Sequence, residues 1–234
     1  TDLTINAGTA DSRAIYLQGD GNATFTATTG NIAVNGKVEL DSSTTSGNLH
    51  LAAQGNITLA AVSQILSIDK GTVYLDAEQA ITMASGSSLF TFGGDVRADA
   101  VNNIGLSLIN ADAGDVALNS SAGQILDNQT NATVTNVVAN SLAANALLGV
   151  ATSTNHLETT VSTWSLASLN GSVFVADTSS VSTGSVTVSV NTVSDSAVAS
   201  DLSTTQHDVS TTTGDAGSIS GMRFGLPCCS GDGP

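Results

Sequence analysis

The chain has 234 residues, of which 20 are Asp or Glu and five are Lys or Arg, so its net charge is −15 at pH 7. This acidic balance argues against binding to nucleic acid or anionic lipid, which requires Lys and Arg to meet phosphate. Hydrophobic residues make up 41% of the chain but aromatic residues only 3%, so the apolar mass is Val, Ile, Leu and Ala. Such small aliphatic side chains suit a narrow, uniform core.

A strand pattern is present from the first residues, because Leu3 and Ile5 alternate with polar neighbours. The sequence has neither an initiator Met nor a signal peptide, and we interpret it as an excised or processed segment of something longer. It also contains no apolar run of the length that spans a bilayer.

Short strands with alternating apolar side chains continue to about residue 120, separated by Gly, Asn, Asp and Ser. Their starts lie roughly 8 to 10 residues apart, so two strands make a coil of about 16 to 20 residues. One motif, in which Gly is followed by a small or polar residue, an apolar residue, any residue and a second apolar residue, recurs along the chain. Its seven copies begin at Gly30, Gly47, Gly55, Gly71, Gly114, Gly171 and Gly184. Each predicts a turn and a three-residue strand, and such units must stack to bury their apolar side chains.

Two segments require separate interpretation. Asn35-Gly36 is predicted to form a hairpin-like turn, because Asn-Gly suits a two-residue hairpin loop. Residues 135–148 contain enough Ala and Leu for a helix. Their Asn and β-branched residues favour another strand and turn, so long helices are not expected.

The composition changes after about residue 189, where Ser, Thr, Val and Asp alternate with few glycines. We therefore divide the chain into solenoid repeats at residues 1–189 and a Ser/Thr-rich C-terminal segment at residues 190–234, which would act as an assembly strand or a cap. Residues 181–199 alternate well enough to form one long strand, which could pair with a neighbouring subunit.

Three alternating charged residues are the best candidates for catalysis. Asp95, Arg97 and Asp99 would point to one side of a strand, and two carboxylates beside a cation can perform acid–base chemistry on polysaccharides. We favour the simpler interpretation, an exposed strand face with a local ion pair. No catalytic residue is predicted, and the chain is not expected to be an enzyme.

Metal and cofactor sites are not predicted either. His50, His156 and His207 lack the spacing of metal ligands. The Gly-Asp-Gly-Asn run at 19–22 and the Gly-Gly-Asp run at 93–95 faintly resemble calcium-binding repeats but lack their nine-residue period. Calcium at one of these turns is the single cofactor that we leave open.

The only cysteines, Cys228 and Cys229, are adjacent. Neighbouring Cα atoms lie about 3.8 Å apart, which is below the usual range for a disulfide, so a bond between the two would be strained. For a secreted chain we favour inter-subunit disulfides or a vicinal bridge over free thiols.

The repeats resemble a known family at residues 47–59 (GNLHLAAQGNITL) and at residues 114–175. The second match includes GDVAL at 114–118, AGQILD at 122–127, GSVFV at 171–175, and Leu-Glu-Thr after His156, where the family often has Pro. These segments are similar to the filamentous-haemagglutinin type of large repetitive bacterial exoprotein. The resemblance implies a right-handed parallel β-helix that is secreted and serves as a surface filament or adhesin. It brings no catalytic residues.

We therefore predict an all-β, extracellular β-solenoid that acts as a stiff surface fibre segment and assembles end to end with its own copies. Host or cell-surface glycans are the further partners expected of an adhesin. The alternative is a β-helix that binds or cleaves carbohydrate. An array of small β-sandwiches is disfavoured, because it predicts a repeat of about 90 to 100 residues.

Overall fold

The computed structural model describes residues 1–7, 13–19, 22–41, 47–131, 133–193, 199–207 and 209–211. In these residues every regular element is a β-strand. No helix among them could therefore cross a membrane.

Three parallel sheets run along the molecule, and each of the first six turns adds one strand to each sheet. Sheet A contains β1 (Leu3–Ile5), β4 (Ile32–Val34), β7 (Ile57–Leu59), β10 (Ile81–Met83), β13 (Ile104–Leu106) and β16 (Ile125–Asp127). Sheet B contains β2 (Arg13–Gln18), β5 (Lys37–Asp41), β8 (Gln64–Ser67), β11 (Ser88–Phe90), β14 (Leu108–Asn110), β17 (Val137–Val138), β19 (Leu157–Thr160) and β21 (Val175–Asp177). Sheet C contains β3 (Ala23–Ala27), β6 (Leu49–Ala53), β9 (Val73–Ala77), β12 (Val96–Ala100), β15 (Asp115–Ser120), β18 (Ser141–Ala146), β20 (Thr163–Ser168) and β22 (Ser182–Thr183), and β25 (Val209–Thr211) also pairs with β20.

This arrangement is a β-solenoid of about six turns. Val150 and Val173 extend sheet A beyond β16 through single parallel bridges. The predicted all-β fold of stacked parallel strands is therefore confirmed.

The core consists of columns in which one side chain stacks on its equivalent in the next turn. The longest column of one residue type lies in sheet A, where five isoleucines are paired in exact register: Ile32, Ile57, Ile81, Ile104 and Ile125. All five are fully buried or nearly so. Aliphatic side chains of one size repeat well along such a column, which accounts for the low aromatic content of the sequence. The single Trp164 is buried in β20, near the C-terminal end of the stack.

Several glycines, including some of the repeated motif, lie where successive turns approach each other closely. A Cβ atom on Gly71 would overlap the carbonyl oxygen of Gly47, and one on Gly94 would overlap that of Gly71. At Gly71 and Gly94 the preceding turn is therefore too close for any side chain.

The asparagine after the glycine links consecutive turns. The side-chain oxygen of Asn31 accepts hydrogen bonds from the backbone N–H of Asn56 (2.8 Å) and from its side-chain amide (3.0 Å). Asn56 accepts in turn from the N–H of Ala80 at 3.1 Å. The Gly-Asn-apolar-x-apolar motif thus encodes a close corner, an amide ladder and two inward side chains.

The predicted hairpin at Asn35-Gly36 is wrong. This dipeptide connects β4 to β5, which lie in different sheets and pair with other turns of the solenoid. A parallel coil must turn a corner after each strand instead of folding back on it. Gly36 is required because a Cβ atom there would lie 2.7 Å from the backbone nitrogen of Ala7.

Residues 135–148 form strands and not a helix, as the sequence indicated, since β17 and β18 both fall within them. After β22 the chain leaves the stack and forms β23 (Val186–Val193) and β24 (Ala199–Gln206), which pair antiparallel to each other. We call these two strands the strap. The division of the chain at residue 190 stays a prediction.

Candidate functional site on the outer faces of the solenoid

The strap crosses the outer face of sheet C. Side chains alternate along the sheet C strands, so every turn presents two outward positions. The first outward column contains Thr24, His50, Tyr74, Arg97, Ala117, Ala143 and Ser165, and the second contains Thr26, Ala52, Asp76, Asp99, Asn119, Asn145 and Ala167.

Apolar contact holds the strap on the first column. Val186, Val188 and Val190 of β23 are buried, and they form a small second core with Tyr74, Ala117, Ala143 and the partly buried Leu202. The alternating apolar residues at 181–199 suggested a strand that could pair with another subunit. The buried valines of β23 pack instead on the outer face of sheet C of the same chain.

Polar contacts along the strap fix its position on successive turns. The N–H of Ser189 donates to Asp95 Oδ2 at 2.9 Å, and the N–H of Asn191 donates to Thr72 Oγ1 at 2.9 Å. Near the other end, the Gln206 side-chain amide donates to the carbonyl oxygens of Ala144 (3.1 Å) and Ser165 (2.8 Å). β23 thus runs back along the solenoid from its last turns towards its first ones.

The three predicted acid–base candidates have separate roles. Arg97 Nε lies 2.8 Å from Asp99 Oδ2, which also accepts the Tyr74 hydroxyl at 2.9 Å. Asp95 instead accepts the N–H groups of Asp115 and Ser189, so it joins two turns and the strap. The ion pair that the sequence suggested is present at Arg97 and Asp99, and Asp95 is not part of it.

Burial beneath the strap changes the proton affinities of this face. Burial, with the charge of Asp99 as a smaller contribution, raises the pKa of Asp76 above its usual range and that of Tyr74 strongly. Burial also raises the pKa of Asp95, against its two amide hydrogen bonds, and lowers that of His50. The His50 ring stacks on Tyr74 with the two centroids 4.8 Å apart.

A groove of about 320 Å³ lies between the strap and the second column, and Arg97, Asp99, Asn119 and Asn145 are among its lining residues. None of its lining side chains is aromatic. It therefore lacks the flat ring that would stack on a sugar, and its Asp–Arg pair is already engaged with Tyr74.

The outer face of sheet B carries a more apolar groove of about 340 Å³. Phe90 and Phe92 form its apolar wall with ring centroids 6.1 Å apart, together with Leu66. Gln64, Asn110 and Asp112 add polar groups. The sequence analysis did not identify this groove, although Phe90 and Phe92 are only two residues apart.

Phe92 has an unusual backbone for its residue type. Its φ is 52°, in the left-handed region, and its side chain is 48% exposed. Asp112 occupies the equivalent position one turn later with a φ of 54°, and Asp tolerates this conformation far better than Phe does. Backbone strain of this kind is concentrated at functional sites.

The remaining predicted residues are not brought together. His50 stacks on Tyr74, His156 meets the edge of Phe174 and His207 contacts Ser185, so the three histidines form no cluster. Nowhere in the described part of the chain do three or more His, Cys, Asp or Glu residues group to hold a metal ion. Cys228 and Cys229 lie outside the described residues, as do Asp20 and Gly21 of the first calcium-like run.

No protein-family model matches the chain, and neither the curated proteins nor the solved structures that were compared with it include a significant match. The architecture itself defines the class, which is that of β-solenoid repeat proteins.

Proposed function

We propose that this chain is a structural and adhesive segment of a secreted bacterial surface fibre, of the type that the filamentous-haemagglutinin resemblance implies. Its stacked turns would form a stiff, acidic rod that continues end to end into further copies. The observation that carries this proposal is the pairing of the terminal strands. Within the described residues, β1, β2 and β3 each pair on one side only, and so does β21 at the opposite end.

Unpaired edges are templates for strand addition. In β1, the N–H of Leu3 and the carbonyl of Ile5 bond to the second turn. Because neighbouring residues of a parallel strand bond in opposite directions, the amide of Thr4 faces the open end. In β3, the N–H of Ala23 donates to the carbonyl of Asn48 and the carbonyl of Ala27 accepts the N–H of Gln54, both in the second turn. The amide of Thr24 therefore faces the open end as well.

Proline at these two positions tests the assembly. The double variant Thr4→Pro, Thr24→Pro removes two outward amides and leaves the bonds to the second turn in place. We expect the wild type to sediment as a concentration-dependent series of oligomers and the proline variant as a monomer. Thr4→Ala, Thr24→Ala is the matched control, because it keeps both amides and should assemble normally. Oligomers of unchanged size in the proline variant would contradict end-to-end strand pairing.

The groove at Phe90 and Phe92 is the surface that we propose for adhesion. Pockets of this kind combine an apolar wall with a few polar groups that orient the ligand. A glycan of the host or cell surface fits this chemistry, since an aromatic face packs on the apolar side of a sugar ring and Gln64, Asn110 and Asp112 can bond its hydroxyls.

Phe92→Asn should weaken binding to immobilised glycans by about tenfold or more, because it removes an exposed aromatic anchor. Asparagine tolerates the left-handed backbone, so the fold should be retained. Val62→Asn is the control, since Val62 is 88% exposed at another left-handed position, with a φ of 61°. Equal glycan binding by Phe92→Asn and the wild type would exclude this groove as the adhesive surface.

A further inference from the structure

A carboxylate ends a column of core side chains in sheet A. Asp127 is the third residue of β16, the position that Leu59, Met83 and Leu106 occupy in earlier strands of the sheet. It is only 9% exposed. An ionised carboxylate is costly to bury unless its oxygens have partners. A carboxylate at a position that holds an apolar side chain in the earlier turns therefore requires a chemical explanation.

One oxygen of Asp127 is well satisfied and the other is not. Oδ1 accepts the N–H of Gln129 at 2.7 Å and the side-chain amide of Asn136 at 2.6 Å. Oδ2 is buried and has no hydrogen-bond partner. The carboxylate is therefore held rigidly with one free oxygen, next to the loop that follows β16.

A second carboxylate with a free, buried oxygen lies close by. Glu158 belongs to β19, and its N–H donates to the side-chain oxygen of Asn136 at 2.9 Å. Its Oε2 is buried without a hydrogen-bond partner. Both residues bond to the Asn136 side chain, which places them next to each other. Burial, with the charge of Asp127 as a smaller contribution, raises the pKa of Glu158 to about 7.

The fully buried Asn136 thus positions both acids at once. No basic side chain compensates for them, because the ion pairs found in the described ranges are Arg13–Glu39, Lys37–Glu39 and Arg97–Asp99. Two fixed carboxylate oxygens without donors are ligands suited to a hard cation.

We propose that Asp127 Oδ2 and Glu158 Oε2 bind a divalent cation with the oxygen-ligand preference of Ca²⁺. The ion would tie the loop after β16 to β19, where sheet A passes from regular strands to the single bridges at Val150 and Val173. With two carboxylates as the anionic ligands, the affinity should be in the range of extracellular calcium modules, about 10⁻⁴ to 10⁻³ M. Neither assembly nor adhesion is needed for this binding.

The chain contains its own optical probe for the site. Trp164 is the single tryptophan, and its indole N–H donates to the hydroxyl of Thr159, the residue after Glu158, at 3.2 Å. A Tb³⁺ ion in place of Ca²⁺ would therefore lie near the indole and be excited by energy transfer from it. Selective excitation of Trp164 in a TbCl₃ titration should give saturable Tb³⁺ emission, and CaCl₂ should reverse it.

Two single variants assign the ligands. Glu158→Gln and Asp127→Asn should each reduce the affinity for Tb³⁺ at least tenfold. Asp69→Asn, which removes an exposed carboxylate from another loop, should bind like the wild type. Circular dichroism establishes which variants are folded. If Asp127→Asn does not fold, Glu158→Gln alone tests the site.

Thermal unfolding provides a second measurement on the wild type. A tenfold excess of CaCl₂ over its dissociation constant should raise the melting temperature by about 3 to 6 °C relative to chelator, and Glu158→Gln should abolish this increase. The proposal is overturned by Tb³⁺ emission that is unchanged in Glu158→Gln. It is equally overturned if neither emission nor a calcium-dependent melting temperature is observed, since the two carboxyls would then share a proton and bind no cation.

Discussion

Gly71→Ala is expected to destabilise the chain by about 3 kcal/mol, the upper part of the range for overpacking in a rigid interior. The new methyl group would overlap the Gly47 carbonyl oxygen and the Ser67 hydroxyl. That same carbonyl accepts the Ser67 hydroxyl at 2.8 Å, so a shift that relieves the overlap also disturbs this hydrogen bond. Urea unfolding followed by circular dichroism measures the loss.

Gly184→Ala is the matched control for this change. Its Cβ atom would meet only the Thr163 methyl group at an ordinary 3.4 Å, so the free energy of unfolding should change by less than about 0.5 kcal/mol. If Gly71→Ala were as well tolerated as Gly184→Ala, close stacking at the corners would not be what the repeated glycine provides.

Ile81→Ala should cost about 2 to 5 kcal/mol, because it leaves a cavity in the middle of the isoleucine column. Ile81 is 1% exposed and lies between Ile57 and Ile104 in register. Each turn of a solenoid is stabilised mainly by its two neighbours, so this cavity weakens both interfaces of the β10 turn. Urea unfolding again measures the effect.

A variant of the neighbouring Thr82 is the control that separates the effect of core packing from that of strand propensity. Thr82 lies in the same strand but is exposed, so Thr82→Ala should change the free energy of unfolding by about 0.5 kcal/mol or less. Ile81→Val, which removes one methyl group, should cost about 0.5 to 1.5 kcal/mol. Equal effects of Ile81→Ala and Thr82→Ala would contradict a core built from stacked columns.

The stacked turns could be predicted from the sequence because several turns repeat the same local motif. Gly55, Asn56, Ile57 and Leu59 contribute a corner, an amide ladder and two inward side chains, all of which are local features of the motif. The error at Asn35-Gly36 arose because Asn-Gly suits a hairpin turn and a corner equally well. The direction of the next strand depends on which strands it pairs with, and that pairing is not local.

The functional surfaces could be predicted only in part. The Arg97–Asp99 ion pair follows from alternation within one strand. The position of the strap does not, because Val188 could cover any outer face of this chain or of another copy. Asp127 and Glu158 come from different turns, and the segments that contain them, AGQILD at 122–127 and Leu-Glu-Thr at 157–159, do not indicate that the two side chains lie near each other. Their proximity depends on the path of the loop after β16 and on the side chain of Asn136.

Electron microscopy of the purified wild-type chain tests the central claim, that the solenoid continues from one copy into the next. We expect filaments of uniform width, made of rods joined end to end, which are absent from the Thr4→Pro, Thr24→Pro variant. Loss of the filaments in reductant would in addition assign Cys228 and Cys229 to the junction. Single short rods in every sample, at concentrations well above those used for the other measurements, would contradict a fibre-forming role.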